Sequence, residues 1–114
     1  MRNAVTLSAT LPTELHQKVL AKIIEDRYGM RGKSKWVKEA LESFLSMQNY
    51  PEFVDIGQEM EDFEMKDILS LRVPGELYAK LEDGVIAVRK FFPEMEGVKS
   101  KIIRASLMQR LIRI

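Results

Sequence analysis

Three hydroxyl side chains, Thr6, Ser8 and Thr10, occupy alternate positions near the start of the chain, and Ile68, Ser70 and Arg72 repeat that spacing further on. A hydroxyl both donates and accepts a hydrogen bond, so it can meet any base edge but tells one base from another weakly. The Arg72 guanidinium is more selective. Its fork of donors matches guanine O6 and N7, and such a bidentate pair discriminates by about 1–3 kcal/mol. Ile68 offers apolar surface, which suits a thymine methyl or the underside of the acidic connector between the two stretches. Blander accounts exist as well. Threonine favours strands in general, and an exposed arginine protects a strand edge from aggregation.

These six residues need a strand to point them one way. Val5, Leu7, Ala9 and Leu11 are apolar and alternate with the hydroxyls, so Val5–Leu11 reads as a half-buried strand with its polar face outward. Pro12 ends it, because proline cannot donate to a ladder and suits the first turn of a helix. The same pattern returns in Asp67–Val73, closed by Pro74. Leu7-Ser8 matches Leu69-Ser70, and Pro12-Thr13-Glu14-Leu15 matches Pro74-Gly75-Glu76-Leu77, at an offset of 62 residues. Ser34-Lys35 matches Ser100-Lys101 at an offset of 66, so the second copy carries four extra residues before its last helix.

Helical spacing follows each strand. Leu15, Val19 and Ile23, with Leu20 and Ile24, make one apolar stripe, and Gly29 marks the expected left-handed stop. Ser34 or Gly32 is placed to cap a second helix with the stripe Trp36, Val37, Ala40, Leu41, Phe44 and Leu45, ending near Met47. Trp36 lies on that stripe and reads as core. The second copy predicts a helix from about Gly75 to Phe91 with Leu77, Leu81, Val85, Val88 and Phe92 inward. Gly84 within it costs about 1 kcal/mol relative to alanine. Pro93 stops that helix, and a last one buries Ile102, Ile103, Leu107 and Leu111 and extends to Ile114. The order is strand-helix-helix, twice. A lone strand leaves its ladder groups unpaired, so each copy needs a partner strand, and the tethered copy is the nearest at hand.

The chain has 114 residues, enough for one compact domain or two very small modules. It has no cysteine, which excludes disulfides, thiolate metal sites and cysteine nucleophiles. No apolar run is long enough to span a membrane, and a cytoplasmic protein is expected. The net charge of +1 hides a pattern. Residues 1–50 hold eight Lys+Arg against five Asp+Glu, residues 51–67 one against seven, and residues 68–114 nine against five. Residues 1–48 and 67–114 are thus two basic modules around an acidic connector at 49–66, together expected to form one compact fold. The connector's Phe53, Val54, Ile56, Met60, Phe63 and Met65 point to partial packing as a short helix, while its acids equally fit a solvated linker.

A short strand ending in Leu-Pro-x-Glu-Leu, then a helix, a glycine-bearing turn and a serine-headed second helix, resembles the ribbon-helix-helix family of DNA-binding proteins. The residues are Leu7 through Leu15, Gly29 and Ser34 through Leu41, with a weaker second copy at Leu69–Leu77 and Ser100–Leu107. That copy lacks the turn glycine at Met95 and has Ser106 where the first has Ala40. Two copies in one chain are similar to the tandem-repeat accessory proteins of F-like conjugative relaxosomes. The resemblance implies a mainly α fold with one short two-stranded antiparallel ribbon. Its tandem β-α-α-linker-β-α-α order would close into an intrachain pseudo-dimer. It also implies that the ribbon enters the DNA major groove, which admits a two-stranded ribbon. Base reading then falls on Thr6, Ser8, Thr10, Ile68, Ser70 and Arg72. Phosphate contact falls on Gly32, Lys33 and Ser34, and on Val98, Lys99 and Ser100, with Lys35 and Lys101 beside them.

The expected activity is sequence-specific binding of double-stranded DNA by a regulator, repressor or plasmid-transfer accessory factor, with neighbouring molecules associating on adjacent sites. Its expected place is on the nucleoid or a plasmid. No enzyme constellation, metal set or cofactor motif appears in the sequence. His16 has no Cys or His near it and reads as a surface or partly packed side chain. The alternative reading is a protein-interaction module such as an antitoxin, holding a partner on residues 49–66.

Overall fold

A computed structural model describes residues 4–29, 31–54 and 64–112. The elements run β1 (Ala4–Leu11), α1 (Thr13–Glu25), α2 (Lys33–Leu45), α3 (Tyr50–Phe53), β2 (Asp67–Pro74), α4 (Gly75–Phe91) and α5 (Val98–Ile112). The fold is mainly helical with one two-stranded antiparallel sheet. β1 and β2 pair within the chain, from Ala4 opposite Pro74 to Leu11 opposite Asp67. Leu7, Ala9 and Leu11 of β1 and Leu69, Leu71 and Val73 of β2 face the helices and are buried. Among the described residues no helix is long and apolar enough to cross a membrane.

The core lies beneath the inner face of the sheet and draws on both halves of the chain. Trp36, Phe44, Leu81, Ile102 and Leu107 are fully buried there with Leu11 and Leu69. α5 is the most enclosed helix: Val98 and all six residues from Ile102 to Leu107 are buried. Arg110, near its C-terminal end, ties it to α2. One guanidinium nitrogen donates to the Trp36 carbonyl at 2.8 Å, the other to the Tyr28 hydroxyl at 2.9 Å, and the group lies 4.5 Å from the Trp36 ring. Trp36 in turn donates from its indole to Asp26 at 2.9 Å, which holds that carboxyl below its usual range. The Tyr28 hydroxyl donates to Glu39, the main cause lowering that carboxyl, and Arg110 adds to it.

Several expectations are corrected. α1 buries Leu15, Val19 and Ile23, whereas Leu20 and Ile24 face solvent, so its stripe is narrower than the spacing implied. α1 also stops before Gly29. The Tyr28 N–H bonds the Ile23 carbonyl and the Arg27 N–H bonds the Ile24 carbonyl, with Arg27 left-handed at φ 63°. This is a Schellman stop with arginine where glycine is favoured, and Gly29 (φ 79°) supplies a second left-handed residue. In the second half the left-handed glycine is Gly97 (φ 62°), two residues beyond buried Met95. The four extra residues lengthen α4 to 17 residues against 13 in α1, about one added turn. Gly84 also finds a reason, because a side chain there would meet Leu45 at 3.1 Å and the Tyr50 hydroxyl at 3.3 Å. The end of α2 and the short α3 lie against α4 at that point. Of the acidic connector, Pro51 and Val54 pack inward, while residues 55–63, with Ile56, Met60 and Phe63, lie outside those described, as does Ile114.

Candidate nucleic-acid interface

The outer face of the sheet carries six exposed side chains, and the register sets them directly opposite one another. Thr6 faces Arg72, Ser8 faces Ser70, and Thr10 faces Ile68. The even positions of both strands therefore form three cross-strand rungs on one surface. The rungs change in character along the ribbon, from a guanidinium with a hydroxyl, through two hydroxyls, to a hydroxyl beside a branched sec-butyl group. Ile68 is 68% exposed, so nothing among the described residues covers it. Arg72 reaches across the strand to the Ala4 carbonyl at 3.4 Å, a long contact at an exposed site that leaves its fork reorientable.

The ribbon is braced from below. Arg104 on α5 is buried and donates to the Thr10 carbonyl at 2.8 Å. At the other strand's start, Asp67 accepts from the Thr13 hydroxyl at 2.9 Å and from His16 Nδ1 at 2.7 Å. Those two bonds, the histidine's first, hold the Asp67 carboxyl below its usual range. Sequence reasoning missed Arg104, because a charge inside an apolar stripe gives no hint that it caps a strand carbonyl. His16 is partly packed, one of the two placements the sequence allowed, and joins β2 to the opening of α2.

The openings of α2 and α5 are unusual in charge. α1 and α4 carry Glu14 and Glu76 in their first turns, in accord with the helix dipole. α2 and α5 have no acid in the first turn and instead carry Lys33 and Lys35, and Lys99 and Lys101. A cation there opposes the dipole and destabilises the helix by a few tenths of a kcal/mol upward. An anion bound at the same place would reverse the sign. Lys33 Nζ donates to His16 Nε2 at 2.8 Å, Lys99 Nζ donates to the Tyr78 hydroxyl at 2.7 Å, and Lys35 lies 5.7 Å from the centroid of the Tyr28 ring. Ser34 is exposed and Ser100 and Lys101 are half-buried.

Two expected contact residues are placed differently. Gly32 is buried, its N–H bonds the Gly29 carbonyl at 3.1 Å, and a Cβ there would lie 2.4 Å from Tyr28. Its donor is taken, so it serves the turn rather than a phosphate. Val98 is 3% exposed and its side chain belongs to the core, leaving the lysines and serines as the surface groups. Comparison of the chain with models of known protein families, with curated proteins and with solved structures found no match.

Proposed function

We propose that the protein binds double-stranded DNA sequence-specifically, laying the β1–β2 ribbon in the major groove as two fused ribbon-helix-helix modules. One observation carries the reading. The residues matched by the sequence repeat, Ser8 and Ser70, are also partners in the strand register. Repeat-equivalent residues face each other in this way when a two-fold axis passes between them. That register supports a pseudo-dimer, with Thr10 equivalent to Arg72 and Thr6 to Ile68. The rungs Thr6–Arg72, Ser8–Ser70 and Thr10–Ile68 read base edges. Lys33, Ser34, Lys35, Lys99, Ser100 and Lys101 take phosphates and set the register of the protein on the duplex. Regulation of transcription or of plasmid transfer is the role such binding serves.

The strand register is symmetric about Ser8–Ser70 while the outward side chains are not, so the recognised sequence is asymmetric. Arg72 and Ile68 lie four residues apart on one strand, about 13 Å, which matches about four base-pair steps. A guanine and a thymine at that spacing are the expected ends of one module's site. Selection of bound fragments from a random duplex library at two salt concentrations tests this. A salt-resistant motif without a palindrome is expected. A palindrome would point to identical strands pairing between chains. Binding that merely fades with salt and enriches no motif would overturn the reading, leaving phosphate attraction alone.

A further inference from the structure

The two lysines that open α2 and α5 are each held by a polar ring from the preceding helix. Lys33 meets His16 Nε2 at 2.8 Å. Lys99 meets the Tyr78 hydroxyl at 2.7 Å and lies 4.6 Å from the centroid of the same ring. The offset of 62 that relates the strands carries His16 onto Tyr78, and the offset of 66 that relates the second helices carries Lys33 onto Lys99. One arrangement thus recurs at matched places with different chemistry. We infer that His16 and Tyr78 are positioning residues that hold the Lys33 and Lys99 ammonium groups where DNA phosphates lie, an inference that rests on the major-groove reading above.

An ammonium has three donors, so one bond to a ring leaves two for phosphate oxygens. Holding a long, flexible side chain before the ligand arrives reduces the entropy lost on binding. The two holders accept through different atoms. Lysine can only donate, so His16 Nε2 accepts from Lys33 and the Nδ1 proton goes to Asp67. The charged groups bonded to the ring are Asp67 from β2 and Lys33 from α2, and Arg104 from α5 reaches the adjacent strand at Thr10. The Tyr78 hydroxyl oxygen accepts from Lys99 in the same way.

The test has two arms on the full chain. In the DNA-free protein, nitrogen-15 NMR of the His16 ring is expected to show the Nδ1–H tautomer, with an Nε2 resonance that moves on Lys33→Ala. An Nε2–H tautomer indifferent to Lys33→Ala overturns the inference without touching the DNA reading. In the second arm, affinity for the selected duplex is compared among wild type, His16→Phe, His16→Tyr and Tyr78→Phe. His16→Phe is expected to weaken binding roughly two- to ten-fold, and His16→Tyr, which copies the second half's holder, is expected to restore it. Tyr78→Phe is expected to weaken binding by a similar factor. Equal affinity for wild type and His16→Phe, or no rescue by His16→Tyr, overturns the positioning role. If no duplex binds while the tautomer is as expected, the DNA reading falls and takes the phosphate role with it, the His16–Lys33 pair standing.

Discussion

The two halves of the molecule treat equivalent positions in opposite ways. In the first, His16 is wired on both sides, to Asp67 and to Lys33, and Thr13 completes the network. In the second, Tyr78 at the matched position holds Lys99 through a single hydroxyl. The residue matched to Asp67 at the same offset is Val5, so the second half has no carboxylate there. A similar contrast runs through the second helices. α2 keeps a one-sided apolar face, whereas α5 is buried around much of its surface and sends Arg104 to the ribbon and Arg110 to Trp36. The proposed tandem plan constrains the inward apolar positions. It leaves polar groups free to diverge wherever each half can satisfy its own hydrogen bonds.

The largest effect belongs to the shared core. Trp36 and its matched residue Ile102 are both fully buried. Trp36→Ala is expected to lower stability by about 3–5 kcal/mol and Ile102→Ala by about 2–5 kcal/mol. Urea unfolding read by circular dichroism should show one transition in each variant. Two separate transitions would show that the halves do not depend on one core.

Next comes the brace that one half has and the other lacks. Arg104→Met removes the bond to the Thr10 carbonyl and should destabilise by about 1–3 kcal/mol, whereas Lys38→Met at the matched position should change stability by under about 0.5 kcal/mol. Equal effects would erase the distinction. On the outer face, Arg72→Ala should relax selectivity at one base pair by about 1–3 kcal/mol, and Thr10→Ala, its repeat equivalent, by less, as measured on duplexes mutated one position at a time. Lys33→Ala and Lys99→Ala should each lower the salt slope of binding by about 1 without altering the preferred sequence.

Smaller effects test the turns and the acid limit. Arg27→Gly removes a left-handed strain of roughly 1–2 kcal/mol and adds a glycine entropy cost of roughly 0.5–1 kcal/mol, so thermal unfolding should show slight stabilisation. Asp67 is held below its usual range by His16 and then Thr13. A depressed carboxyl contributes stability that is fully present above its unfolded value near pH 4 and is lost as pH falls through the folded value. Asp67→Asn should therefore flatten stability against pH below about pH 4, and an unchanged acid limb would count against the network.

The hydrophobic alternation of Val5–Leu11 and Asp67–Val73 determined by itself which side chains face out, because a strand has a period of two and one face must be buried. Helical periodicity and the prolines likewise placed α1, α2, α4 and α5 to within a few residues. Register, partners and brace were decided by the tertiary structure. Pairing Ser8 with Ser70 depends on how the helices of both halves pack beneath the ribbon, which no local pattern encodes. Leu20 and Ile24 fell outside the core because a helix packs along a narrow line that its own sequence does not choose. His16, Lys33 and Asp67 come from three separate elements, far apart along the chain, and only folding makes them neighbours.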